Sequence, residues 1–163
     1  MRFAQLLWHI SLVCTGIMSG FIVAFAIAIM PGLSQMASLP AVRSMNAINS
    51  AIGSSPLFFI LFGGTGLVHV LGLAVALKNR QAPSFWLVIC AAAIYLCGVL
   101  FVTLRFNIPM NKEMAEMDAA MSGNDPLARE ILTRWIFWNR IRAVSSLISV
   151  LLLAFCLFRR GES

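Results

Sequence analysis

Polar positions punctuate this chain instead of alternating with apolar ones. No Asp, Glu, Lys or Arg occurs in residues 3–42, 44–77, 81–104 or 143–158. A helix that crosses the hydrocarbon layer needs about 20 mostly apolar residues, and proline and glycine trim the two longest stretches to that length. The pattern predicts four spanning helices near residues 8–30, 56–77, 84–104 and 138–158. Met30-Pro31-Gly32 is expected to stop the first, because proline restricts the residue before it and glycine permits a left-handed exit. Ser55-Pro56 opens the second, with a serine able to cap and a proline suited to the first helical position. Asn107-Ile108-Pro109 is expected to close the third. Arg2 and Ala24-Phe25-Ala26 invite a cleaved-leader reading of the first stretch, but its apolar run far exceeds a leader core of about 7–15 residues.

Two longer segments connect the spans on one side, near residues 31–55 and 105–135. In the second, Met110, Met114, Met117 and Met121 recur at i, i+4, i+7 and i+11, one stripe of a short amphipathic helix. Gly123 and Asn124 break it. Asp125 can then cap a new helix, with Pro126 at its first position, that runs unbroken into the fourth span over about 33 residues, roughly 50 Å.

Composition narrows the class. Of 163 residues, 60% are hydrophobic and 11% charged, with a mean hydropathy of +0.90, whereas soluble domains are about 45–50% apolar and about 25% charged. This excludes a soluble enzyme, a disordered chain, a disulfide-rich scaffold and a nucleic-acid binder. The expected fold is all-α, a single integral-membrane four-helix bundle. The net charge of +6 then reads as orientation, not as affinity for an anionic partner. Arg2, Lys78, Arg80, Arg159 and Arg160 occupy three very short segments on one side. The longer segments opposite carry only Arg43 and a mixed set of net charge −1. The positive-inside bias puts both termini in the cytoplasm of a multi-pass inner-membrane protein. Trp8 and Trp86 mark the inner interface in this reading, Trp135 and Trp138 the outer one.

Few polar residues carry chemistry. Cys14, Cys90, Cys97 and Cys156 all fall within spans and read as small apolar fillers. His9 and His69 lack carboxylate company, so no metal site is expected, and interhelical hydrogen bonding suits His69. Gly16 and Gly20 form a GxxxG pair, and Gly63, Gly64 and Gly66 thin the second span. They serve bundle packing or a homo-oligomer. No span holds an acid, which argues against a proton-driven exporter. The informative cluster lies at the outer ends. The uncharged part of span four covers only about 24 Å, so Asn139 and Arg142 are drawn into the outer leaflet. There Trp135, Asn139, Arg142 and Ser146 share one helix face. Asn107 and Asn111 leave span three at the same level, and Met45, Asn46 and Asn49 follow Pro31-Gly32 in the first outer segment. Arg140 and Arg142 can instead snorkel, and the asparagines can serve as caps.

At these residues the chain resembles the anthrone oxygenase-like family of small four-span proteins. The matching pieces are Met30-Pro31-Gly32-Leu33, Met45-Asn46-Ala47-Ile48-Asn49, the run from Thr103 to Asn111 (TLRFNIPMN), and Trp135-Ile136-Phe137-Trp138-Asn139-Arg140-Ile141-Arg142. The resemblance implies a four-helix bundle and, by way of fungal relatives, oxidation of anthrones to anthraquinones without an evident metal or flavin, so no cofactor is expected. Bacterial relatives often carry histidine directly after the last asparagine, where this chain has Arg140. Such a reaction needs a flat apolar pocket, a base, and donors for an oxyanion. Asn139, Arg142, Asn107 and Asn111 are the candidate donors. Trp135, Trp138, Asn49, Met45, Thr103 and Pro31 are the candidate substrate-binding residues. No base is evident, since Glu113 and Glu116 are the nearest carboxylates and nothing in the sequence brings them to the pocket. The expected partner is a small hydrophobic aromatic, quinone-like or lipid-like ligand alongside membrane lipid. Two alternatives stand beside the oxygenase: a non-catalytic lipid- or quinone-binding module or accessory subunit of a membrane complex, and Cu(I) binding by the methionines that fall beyond the outer membrane edge.

Overall fold

The computed structural model describes residues 2–78, 80–81, 84–118 and 126–161. The chain is helical throughout, with no strand among these residues. Helix α1 (Arg2–Ala24) passes through a π-helical turn (Phe25–Ile29) into α2 (Met30–Ser34). Helix α3 (Ser38–Gly53) follows, then α4 (Pro56–Lys78). Helix α5 (Phe85–Tyr95) continues through two π-helical segments (Leu96–Phe101, Thr103–Asn107) into α6 (Ile108–Asp118), and α7 (Pro126–Gly161) completes the chain. Four continuous helices are long and apolar enough to cross a membrane: Phe3–Ser34, Pro56–Lys78, Phe85–Met117 and Pro126–Arg159. Each of α1, α4, α5 and α7 packs on two of the others, so they close a ring, and their buried apolar residues form separate clusters along it.

Two expected helix ends do not occur. The first helix runs through Pro31 and the third through Pro109. Met30 (φ −68°, ψ −40°) and Ile108 (φ −63°, ψ −46°), each followed by proline, are both helical. The same device explains both. Proline cannot donate to the carbonyl four residues back and its ring clashes with it. Those carbonyls belong to Ile27 and Arg105, which lie inside π-helical turns, where the Met30 N–H reaches Phe25 O and the Ile108 N–H reaches Thr103 O. The widened turn accommodates the proline, and the helix resumes beyond it. Most of the first outer segment, expected as a loop, is the 16-residue helix α3.

Other expectations fare better. Ser55 accepts a hydrogen bond from the Phe58 N–H at 3.3 Å and so caps α4. Pro126 opens α7, whose 36 residues extend about 54 Å. Asp125, Met121, Gly123 and Asn124 lie outside the described residues. The described part of the methionine stripe packs inside the protein. Met110 and Met114 are buried in a core cluster with Met30, Met45, Phe25, Ile131 and Trp135, because α3 and α7 cover that face of α6. Trp8 is buried as well, packed in the core with Leu7, Ala76 and Val88, while Trp86 is exposed.

Many polar side chains inside the bundle find partners close by. The hydroxyls of Ser11, Thr65 and Thr103 donate to carbonyls four residues back. Thr15 Oγ1 lies 3.0 Å from His69 Nε2, joining α1 to α4, and the His69 ring stacks on Tyr95 with centroids 4.5 Å apart. Ser146 meets Ser19 at 3.0 Å, and Ser149 donates to the Ala91 carbonyl at 3.0 Å. Such bonds average only about 0.6 kcal/mol each in a membrane protein, so close packing carries much of the association. The close approaches are at Gly72 and Gly98, not at the GxxxG pair. A Cβ on Gly72 would stand 2.9 Å from the Trp8 ring, and one on Gly98 would stand 2.5 Å from Ser145 Cβ, whereas Gly16 and Gly20 face open space.

Gly98→Ala is therefore expected to force the third and fourth spans apart and to lower stability by about 1–3 kcal/mol, the usual cost of overpacking. Gly16→Ala should be neutral or slightly stabilising. Thermal melts of both variants in one detergent check this, and equal midpoints would contradict it.

Candidate functional site

A cavity of about 220 Å³ opens at the end of the bundle away from the termini. It is smaller than the ~300 Å³ at which drug-sized pockets begin. Helix α1 and its π turn give it Phe21, Ile22 and Phe25. The last turns of α3 give Asn49 and Ile52, the first turns of α4 give Phe58, Phe59 and Phe62, the second π segment gives Thr103 and Asn107, and α7 gives Trp135 and Arg142. The π turns do local work here. A π turn inside an α-helix shifts the side-chain register and is frequent at functional sites. Phe25, Thr103 and Asn107 all sit on such turns.

The polar end is built around Arg142, which is only 9% exposed. Its Nη1 donates to Thr103 Oγ1 at 3.1 Å, its Nη2 to Asn139 Oδ1 at 2.6 Å, and its guanidinium carbon lies 5.3 Å from the Trp135 ring centre. These partners are all neutral, and no carboxylate lines the cavity. Arg142 Nε has no hydrogen-bond partner among the described residues. Neither amide atom of Asn107, 1% exposed, has one, and Asn49 Nδ2 has none. A buried polar group left unsatisfied costs about 1–3 kcal/mol, and more if charged. Four such atoms around one cavity form a concentrated set of unused hydrogen-bonding capacity. Trp135 Nε1 donates to Asn111 Oδ1 at 2.8 Å, which fixes the indole as a wall.

The structure thus brings Asn49, Thr103, Asn107, Asn111, Trp135 and Arg142 around one cavity. Four other candidates lie elsewhere. Asn139 is fully buried behind Arg142, orienting it and reaching the Ile22 carbonyl at 3.4 Å. Trp138 stacks on Phe106 at 3.6 Å and does not line the cavity, because three residues carry it one turn along α7 and about 60° round the helix from Trp135. Met45 is buried in the methionine-rich cluster. Pro31 is exposed on α2, since the helix continues through it. Glu113 and Glu116 are exposed on α6. The sequence reasoning missed the phenylalanines. Phe21 and Phe25 at i, i+4, together with Phe58, Phe59 and Phe62, were a detectable aromatic concentration within otherwise aliphatic spans.

Four helices long and apolar enough to cross a membrane, with a cavity that has an aromatic wall and the buried Arg142, define a small multi-pass membrane protein. The family profile described as anthrone oxygenase matches residues 56–152. The chain belongs to that family, and is a membrane oxygenase-like protein. No curated protein and no solved structure matches it. The matched segment contains Thr103, Asn107, Asn111, Trp135, Asn139 and Arg142.

A lone buried cation makes a distinctive thermodynamic prediction. Arg142→Met removes a costly buried charge and orphans one buried acceptor, Asn139 Oδ1, a smaller penalty, so the variant should melt at the same temperature as the parent or higher. A fall of several degrees would mark Arg142 as a scaffold residue instead.

Proposed function

We propose that the cavity binds a flat fused-ring ketone of the anthrone type in its enolate form and promotes its oxidation by dioxygen. One observation carries this reading: Arg142, buried without a carboxylate, stands beside the unsatisfied amide of Asn107 at the end of an aromatic slot. An oxyanion on a planar aromatic supplies what these groups lack.

Arg142 and Asn107 favour the oxyanion over the neutral ketone, so the substrate loses its proton to water more readily in the site than outside it. The enol tautomer carries that proton on oxygen, and the scheme therefore asks for no carboxylate on the cavity wall. The electron-rich ring carbon opposite the oxyanion transfers electrons to dioxygen and forms a C–O bond, giving a ring peroxide that takes up a proton. Loss of the remaining hydrogen on that carbon with cleavage of the O–O bond expels water and leaves the second carbonyl. One molecule of anthrone and one of dioxygen give one of anthraquinone and one of water. Asn139 acts through Arg142 as a positioning residue, and Trp135 and the phenylalanines hold the ring plane. This route needs no added cofactor.

The test is oxygen consumption with anthrone by protein in vesicles, corrected for spontaneous oxidation. Arg142→Met and Asn107→Leu should each lower the catalysed rate by about 10²–10³-fold, the usual effect of removing an oxyanion donor, with Arg142→Lys retaining part of it. Unchanged rates in both variants would sink the site. Tight binding of anthraquinone without turnover in the parent protein would favour a non-catalytic binding module instead.

For orientation we propose an inner membrane with both termini in the cytoplasm, supported by Lys78, Arg80 and Arg159 at the end that carries the termini. A reporter fused to the C-terminus should fluoresce as a cytoplasmic protein and lack periplasmic phosphatase activity. The reverse result would invert the topology.

A further inference from the structure

The cavity has two unlike ends, and the apolar one reaches the surface of the spanning helices. Phe59 is 57% exposed and Phe21 38% exposed, yet both line the cavity. From Phe59 a chain of ring contacts leads inward. Phe59 meets Phe58 at 5.9 Å between centroids, Phe58 meets Phe21 at 5.4 Å, Phe21 meets Phe25 at 5.2 Å, and Phe25 meets Trp135 at 5.7 Å. Trp135 then faces the Arg142 guanidinium. A continuous aromatic surface therefore joins the outside of the bundle to its buried cation.

The seam along which this surface runs is fastened unequally. Near the termini α1 and α4 are clamped by Trp8 against Gly72 and by the Thr15–His69 contact. At the cavity end the same two helices meet through the Phe21 and Phe58 rings, whose contact is non-directional and yields by rotation of two side-chain bonds. Both residues lie within helices long and apolar enough to cross a membrane, so the seam borders the apolar outer surface of the spans.

We infer that the site is loaded sideways from the bilayer: a fused-ring molecule dissolved in lipid enters edge-on between α1 and α4, past Phe21 and Phe58, and slides along the ring surface to Arg142. This rests on the reading of the cavity as an aromatic site and narrows its substrate class. The ligand is uncharged and lipid-soluble on entry and ionises only at the polar end. Conjugates carrying sugars or fixed charges on the entering edge are rejected, since the α1 and α4 walls (Met18, Phe21, Ile22, Phe25, Phe58, Phe62) offer no polar group.

The experiment uses the full chain in phosphatidylcholine vesicles and tritiated anthraquinone as probe. In a Phe21→Cys/Phe58→Cys variant, a short bis-methanethiosulfonate reagent bridges the seam. The parent, with its own four cysteines, is treated identically. Bridging before loading is expected to slow uptake at least 10-fold, bridging after loading to slow release at least 10-fold, and dithiothreitol to restore both. Phe58→Ala, which leaves the seam ajar, should speed uptake and release together. Parent-like exchange in the bridged protein, or unchanged exchange in Phe58→Ala, overturns lateral entry. If the parent binds the probe and Arg142→Met does not, while bridging has no effect, the aromatic site stands and only the route fails. If the parent binds no probe, both fall.

Discussion

A guanidinium without a counter-charge, held at 9% exposure among apolar helices, constrains everything near it. Transferring such an ion out of water is costly, so the surrounding groups either satisfy it or expose it. Here they satisfy it in part. Thr103, Asn139 and the Trp135 ring take up the Nη atoms and one face, and Nε is left over. Asn139 is fixed in turn by the Ile22 carbonyl of α1. The polar floor of the cavity is thus a small network spanning three of the four membrane helices, and none of its members is itself charged except Arg142.

That network depends on backbone irregularity. Thr103 and Asn107 lie on a π-helical segment that ends two residues before Pro109, and Phe25 lies on one that ends two residues before Pro31. In both helices proline and the widened turn form a unit: the turn removes the clash with proline, and its altered register presents a side chain to the cavity. Helix α3 adds Asn49 and Ile52 to the cavity wall, with Asn46 Nδ2 donating to the Met114 carbonyl at 3.1 Å and the methionines of α3 and α6 filling the space between those two helices. Flexible thioether side chains suit this irregular interface, which gives the methionine stripe a packing role within the protein.

The spans, the long last helix, the Ser55 cap and the family were legible because each depends on a local or strongly periodic signal. The ends of the first and third helices were misread because proline was judged alone. Its effect depends on whether the preceding turn widens, as it does over Phe25–Ile29 and Thr103–Asn107. Helix α3 was hidden because Pro40, Asn46, Asn49 and Gly53 read as loop residues and its partner, α6, lies more than fifty residues along the chain. Arg142, Asn107 and Asn111 were legible as polar residues stranded at helix ends. Trp138 and Pro31 were not separable from them, since neighbours in a motif share a sequence position but not a face. Trp135 and Trp138 are three residues apart on α7, yet one contacts the cavity and the other contacts Phe106.

The polarity gradient has a chemical consequence for the proposed reaction. In an anthrone the oxygen and the reacting carbon occupy opposite corners of the central ring. If Arg142 and Asn107 hold the oxygen, the reacting carbon necessarily points the other way, towards Phe21, Phe58 and Phe62. That end of the slot is the one continuous with lipid, where dioxygen is more soluble than in water. Binding the anion therefore places the nucleophilic carbon where its co-substrate is most concentrated, and keeps it from the polar end, where protonation would return it to the ketone. A cavity polar at both ends could stabilise the anion equally well but would lose this separation. The unequal fastening of α1 and α4 follows the same logic, since Phe21 and Phe58 meet ring to ring at the cavity end, while nearer the termini the two helices are held by Trp8 against Gly72 and by the Thr15–His69 contact.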